Sequence, residues 1–366
     1  MYDYFLDMNV SKRAEIGPIS WPEVLAKLSS RVDLTADESA WAMEDMLAGR
    51  TSQITMAGFL MALRAKGETA TEMSNFAEVM STFKRRVSLA EAAVDTCGTG
   101  GDRQNTINVS TGSALVVAGA GGKVCKHGGR AASSKSGSAD VLEALGVNID
   151  ITPEQVRRCV EEAGIGFCFA PSYHPAMAHV APVRRELKVP TAFNFLGPLV
   201  NPADTPYQLV GVSDLKMVDV VASVLQHLGA HGSLIVYGAD GLDEVSLTSK
   251  TLVTEITKED DSSYSRVTRY ELDPTEYGFR LCSIDDLTGS TPKENADELV
   301  QILEGSLKGP KLDILLLNAG AALYVSKVTD SIQDGVELAR DSVRQGGALT
   351  ALERLITVSN IDSVER

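Results

Sequence analysis

Nothing in this sequence pairs its cysteines. The five of them (Cys97, Cys125, Cys159, Cys168 and Cys282) are scattered over 366 residues without a C-x-x-C. That excludes a disulfide framework and a thiolate metal finger, and predicts reduced, buried thiols. Long apolar runs are missing too, since none approaches the roughly 18–20 residues that cross a bilayer. The opening residues carry Asp3 and Asp7 among aromatics, where a signal peptide has a basic region and then an apolar one. A cytoplasmic protein with no membrane partner is expected. A basic excess is also lacking: the formal charge is −15, which argues against a nucleic-acid partner because phosphate backbones select basic surfaces. A small anionic substrate remains open, since a few Lys or Arg side chains, backbone N–H groups and cations reverse the field locally.

What is present changes character near residue 92. Upstream, short helices carry start and stop signals. Ser20 precedes Trp21 and Pro22, Thr35 and Glu38 have capping-box spacing, and Thr55 can cap a helix over 56–66 that Gly67 closes. The stripe Met56, Leu60, Met61, Leu63 reads as core or as a subunit contact. Downstream, short Val- and Ile-rich runs alternate with helical stretches, predicting strands at 93–97, 123–126, 166–170, 209–212, 234–238 and 312–318. Alternation of this kind indicates an α/β domain with a mostly parallel central sheet, whose ligands sit beyond the carboxyl ends of the strands. Pro182, Pro190 and Pro198 mark a crossing or hinge rather than an ordinary helix. The acidic stretch at 259–263 reads as a solvated loop.

The chemistry concentrates at the strand ends. D-T-C-G-T-G-G-D, from Asp95 to Asp102, offers Gly98, Gly100 and Gly101, whose backbone can turn N–H groups towards a phosphate; a plain glycine-rich turn is the alternative. N-V-S-T, from Asn108 to Thr111, opens an apolar helix, where free N–H groups and hydroxyls suit an anion; simple capping by Ser110 or Thr111 is the alternative. Lys126 begins K-H-G-G-R-A-A-S-S-K-S-G-S-A-D and can reach a pyrophosphate as a point charge. His127 beside it is either a proton carrier or a structural imidazole. Asp243 and Glu244 in G-L-D-E-V can hold a hard cation such as Mg²⁺ or merely end a strand. Finally His174, Arg184 and Arg185 precede the proline-rich crossing. Arg184 can fork onto a carboxylate, while Arg185 reads as solvated.

In this order the motifs closely resemble those of the anthranilate phosphoribosyltransferase family, from about residue 20 to residue 350, and the crossing N-F-L-G-P-L-V-N-P resembles them as well. The resemblance implies the fold shared with pyrimidine nucleoside phosphorylases, that of a class III phosphoribosyltransferase. A helical domain over 1–91, with a contribution from about 182–205, would join an α/β domain over 92–366. It implies transfer of a phosphoribosyl group from phosphoribosyl pyrophosphate to the amine of anthranilate, two Mg²⁺ ions per subunit bridging to substrate, and a homodimer formed through the helical domains. Carried over by motif, Gly98, Thr99, Gly100, Gly101, Asp102, Thr106, Asn108, Ser110, Thr111, Lys126 and Ser138 would bind the donor. Ser110, Asp243 and Glu244 would ligate the metal, with Lys126, Asp243 and Glu244 as the catalytic set. Gly98, His127, Gly129, His174, Arg184 and Pro198 would line the acceptor's path. Two positions depart from the family pattern: Gly129 stands where Asn is usual, and Arg103 where Gly is usual. The alternatives are a pyrimidine nucleoside phosphorylase, which would use inorganic phosphate, and a non-catalytic nucleic-acid-binding relative, which should be basic.

Overall fold

The computed structural model describes residues 19–131, 135–258 and 265–361. The stretch at 259–263 and positions 132–134 of the lysine motif lie outside the described residues, as do the first 18. Four helices come first, at Trp21–Ser29, Ala36–Leu47, Gln53–Lys66 and Ala70–Phe83. Hydroxyl residues start all of them. Thr35 with Glu38, and Thr69 with Glu72, form reciprocal capping boxes, each satisfying two N–H groups that have no partner inside the helix. The third helix starts earlier than the sequence reading has it. Ser52 takes the cap and accepts from Thr55 N at 3.1 Å, because nothing in Gln53–Ile54 resists helical dihedrals and the earlier hydroxyl captures the free N–H. Met56, Leu60 and Leu63 are buried, whereas Met61 is 39% exposed, so the apolar stripe serves two faces.

The sheet has seven strands in the order β3-β2-β1-β4-β5-β6-β7. They are β1 (Val94–Gly98), β2 (Val124–Gly128), β3 (Ile165–Phe169), β4 (Tyr207–Gly211), β5 (Gly232–Gly238), β6 (Thr251–Lys258) and β7 (Ser265–Leu272). β3 to β5 pair in parallel and, covered on both faces, read as nearly continuous apolar runs. β6 and β7 extend the sheet antiparallel; their apolar residues are interrupted by Thr, Glu, Lys and Arg, which hid them from the sequence reading. The chain steps from β1 to β2 and β3 on one side, then returns to β4 on the other. That reversal opens a crevice beyond the strand ends.

The strand expected at 312–318 is instead the middle of a helix, Pro310–Val325. Periodicity cannot separate a fully buried helix from a buried strand. Here the helix runs 16 residues and is buried without a break from Ile314 to Leu323, too long for a strand of this sheet. The crossing resolves into short helical pieces at Ala181–Leu187, Ala192–Leu196 and Gly197–Leu199. Two buried clusters form the core. One lies between the sheet and the carboxyl-terminal helices. The other joins the first four helices to Val183, Phe193 and Leu196 of the crossing and to Val210 and Ile235 on the opposite sheet face. Among the described residues no helix is long and apolar enough to cross a membrane.

Candidate active site

A cavity of about 300 Å³ lies beyond the carboxyl ends of β1, β2 and β5. Its first wall is the glycine loop after β1. Gly100 and Gly101 sit at φ 66° and 86°, the left-handed region that costs an ordinary side chain about 1 kcal/mol. Ser213 pins the loop: its N–H donates to Thr99 Oγ1 at 3.1 Å and its hydroxyl donates to Gly100 O at 2.7 Å. The second wall is the start of the helix Val109–Gly119. Asn108 occupies the cap position without capping. Its carboxamide instead donates to Ser136 O at 3.1 Å and accepts from Asn295 Nδ2 at 2.9 Å, so the helix start faces the cavity. Thr111 is fully buried and is the one expected donor ligand that does not line this space.

Lys126, at the end of β2, is 1% exposed. Its ammonium donates to Thr96 O and, at 3.1 Å, to Ser110 Oγ. Opposite it, the turn after β5 brings Asp243 and Glu244 towards Asp102. Gly211 makes this possible, since a Cβ there would fall 1.5 Å from the Asp243 carbonyl oxygen. Asp243 accepts from Gly100 N at 2.6 Å. Burial and then repulsion from Asp102 push its carboxyl up to about 7. Burial and the neighbouring carboxylates raise Glu244 as well. Asn318, inside the misread helix, fixes this turn from behind: its carboxamide accepts from Val245 N at 2.9 Å and donates to Val245 O at 2.8 Å.

A second cavity of about 310 Å³ adjoins the first at His127. Met80, Pro171, Met177, Phe193 and Val200 make it largely apolar, and His127, His174 and Arg184 are its polar features. Burial holds His127 near 3 and His174 near 4, so both rings are neutral at pH 7. His127 Nδ1 faces Gly197 O at 3.1 Å. A carbonyl only accepts, so Nδ1 carries the proton and Nε2 presents a lone pair. The Nε2 atoms of both rings lack a partner among the described residues. Arg184 lies 5.8 Å over the Phe193 ring, and burial alone lowers its pKa; Arg185 is exposed. Pro198 is buried in the turn between Gly197 and Val200, its carbonyl taken by Gln208.

The two parts of the chain match two family descriptions: residues 22–83 match the glycosyl transferase family, helical bundle domain, and residues 90–349 match the glycosyl transferase family, a/b domain. The anthranilate phosphoribosyltransferase of Rubrobacter xylanophilus is 48% identical over 337 residues, covering 92% of this chain and 97% of that protein. The chain belongs to the anthranilate phosphoribosyltransferase family. The crystal structure of the Thermus thermophilus member has a TM-score of 0.84 at 40% identity, covering 92% of this chain and 99% of that one. The Saccharomyces cerevisiae member, in complex with PRPP and Mg, has a TM-score of 0.84 at 28% identity, covering 93% and 98%.

Arg103 and Gly129, the two positions expected to depart from the family pattern, both lie near the first cavity. Arg103 sits at φ 61°, so this chain accepts backbone strain at the loop's edge. Gly129 lines the first cavity, and a Cβ added to it would meet only Ala170 Cβ, at 3.9 Å. Several residues of the site escaped sequence reasoning. Ser213, Asn295 and Asn318 act on the site from behind, while Asn194 lines the first cavity. Asn318 carried a signal, as the lone amide in an apolar run. Asn194 is one of the few polar positions in the crossing motif.

Proposed function

We propose that this protein transfers the phosphoribosyl group of phosphoribosyl pyrophosphate to the amine of anthranilate, releasing pyrophosphate, in tryptophan synthesis. One observation carries the reading. A polar cavity with a glycine loop, an open helix start and a buried lysine meets an apolar cavity holding the Arg184 guanidinium, which has no ion pair among the described residues, and His127 belongs to both. Arg184 suits the acceptor's carboxylate, and the apolar lining suits its ring. The unpartnered Nε2 lone pair of His127 suits an acceptor bearing N–H groups.

In the first cavity the loop amides and the Val109–Gly119 helix start would take the phosphates, with Lys126 on the departing pyrophosphate. Asp243, Glu244 and Ser110 would hold magnesium, two ions per subunit. Crowded, partly protonated carboxylates are a donor set that a divalent cation relieves. Among the described residues no group of three or more His, Cys, Asp or Glu is arranged to hold a metal ion, which suits magnesium that keeps its waters and bridges to substrate phosphates. When bound, the metal neutralises charge on the leaving group. The protein's contribution is positioning: the neutral arylamine needs no strong base, and burial pushes the thiol of Cys97, in the first cavity, up and away from a reactive thiolate.

Ile54, Gly58, Met61 and Ala65 are exposed on successive turns of the helix Gln53–Lys66. This apolar strip supports a homodimer through the helical parts, a reading that a monomer in sedimentation equilibrium would remove. Five free cysteines suit a cytoplasmic setting. The direct test follows loss of anthranilate fluorescence on adding phosphoribosyl pyrophosphate. Turnover is expected only with Mg²⁺, and an Asp243→Ala, Glu244→Ala double variant should lose at least about 100-fold. Near-normal turnover by that variant would refute the account.

A further inference from the structure

β1 and β2 are neighbours in the sheet, yet their ladder stops after a single pair, Val94↔Val124, while β1–β4 and β2–β3 each run five. The next rung would join Thr96 N to Cys125 O and His127 N to Thr96 O. Side chains have replaced it. His127 N donates to Asp95 Oδ1 at 3.2 Å. Cys125 O accepts from Asn201 Nδ2 at 2.8 Å. Thr96 O accepts the Lys126 ammonium. The carboxylate and the amide are themselves bonded, Asn201 Nδ2 to Asp95 Oδ2 at 2.7 Å. Asp95 is 0% exposed and Asn201 3%, and neither lines either cavity. An unpaired buried backbone group costs about 1–3 kcal/mol, and the split therefore persists only while these side chains fill it.

The split has a consequence at the site. It lets Lys126 turn inward between the strands, and it sets the backbone of His127 by a carboxylate rather than by a neighbouring strand. Asn201 ends the crossing whose Gly197 carbonyl fixes the His127 ring. We propose that the Asp95–Asn201 pair is a positioning device that sets the donor-side lysine and the acceptor-side histidine together. The two half-sites are then aligned by one buried contact.

The proposal rests on Lys126 acting on the donor, and Lys126→Met tests that separately; if this variant keeps full turnover, the role given to Lys126 is wrong. Asp95→Asn keeps an acceptor for His127 N but removes the charge beside Lys126. With the fold verified by far-UV circular dichroism at 20 °C, kcat should fall by about 30-fold or more and the anthranilate KM rise about fivefold, whereas Lys126→Met should lower kcat without moving that KM. Asn201→Ala should give the same paired signature at smaller size, and serves if Asp95→Asn does not fold. Folded Asp95→Asn and Asn201→Ala variants with native kcat and KM, altered only in melting temperature, would overturn the proposal.

Discussion

The two cavities that meet at His127 solve opposite problems with the same scaffold. The donor side is built from backbone: a strand end, a glycine loop and a helix start, with few side chains and a crowd of carboxylates opposite a lysine. The acceptor side is built from side chains of the segment after β3 and of the proline-broken crossing, with Met80 and His127, and is apolar except for two neutral imidazoles and one guanidinium. Backbone N–H groups recognise phosphate whatever else the ligand carries, whereas an apolar pocket recognises shape and needs a single charge to orient its guest. The donor side is therefore generic, and specificity for the acceptor rests on the few polar atoms of the second cavity.

Arg184 gives the largest effect that could break this division. Arg184→Met should raise the anthranilate KM about 100-fold, the value of a buried charge-assisted hydrogen bond of about 2–3 kcal/mol, and leave the phosphoribosyl pyrophosphate KM within about twofold. Comparable losses for both substrates would show that the half-sites are not separable.

Protonation sharpens the comparison next. His127 near 3 and His174 near 4 lie below the ordinary value of 6.5, so the unfolded chain binds the extra protons. Their neutral burial is free of penalty above pH 6.5, and stability is lost as pH falls below that value. The loss should be about 2 kcal/mol per ring, on the order of 4 kcal/mol for the pair, between pH 7 and pH 5, read from urea midpoints. A His127→Gln, His174→Gln variant should lose less stability over the same interval, and an unchanged slope would mean the rings are not buried neutral.

Gly129 gives the smallest effect. Its missing side chain has room, so Gly129→Asn should fold normally and lower the anthranilate KM about threefold, the scale of one added neutral hydrogen bond. An unchanged KM would make the departure from the family pattern inconsequential for the acceptor.

How much was legible beforehand varied with the kind of contact. The glycine loop, Asn108, Ser110, Lys126, Asp243 and Glu244 were readable because each stands at a strand or helix end, where a local pattern reports a local geometry. Thr111 was read with them by proximity, yet the turn of the helix buries it. Asn318 was lost inside an apolar run misread as a strand, since its helical course is set by length and by packing against the sheet. β6 and β7 were missed because a half-exposed antiparallel extension shows little continuous hydrophobicity.

By itself the sequence determined the opening helices, the five parallel strands, the anion-binding loops at strand ends, the caps and the uncrosslinked thiols. Each of these depends on residues within a few positions of one another, where dihedral preference and side-chain reach decide. Only the tertiary structure decided that the strand ladder opens between β1 and β2, that Asn201 bonds a carboxylate 106 positions away, and that Asn318 holds the acid turn. Those contacts come from burial, which obliges every enclosed polar atom to find a partner wherever the folded chain brings one within reach.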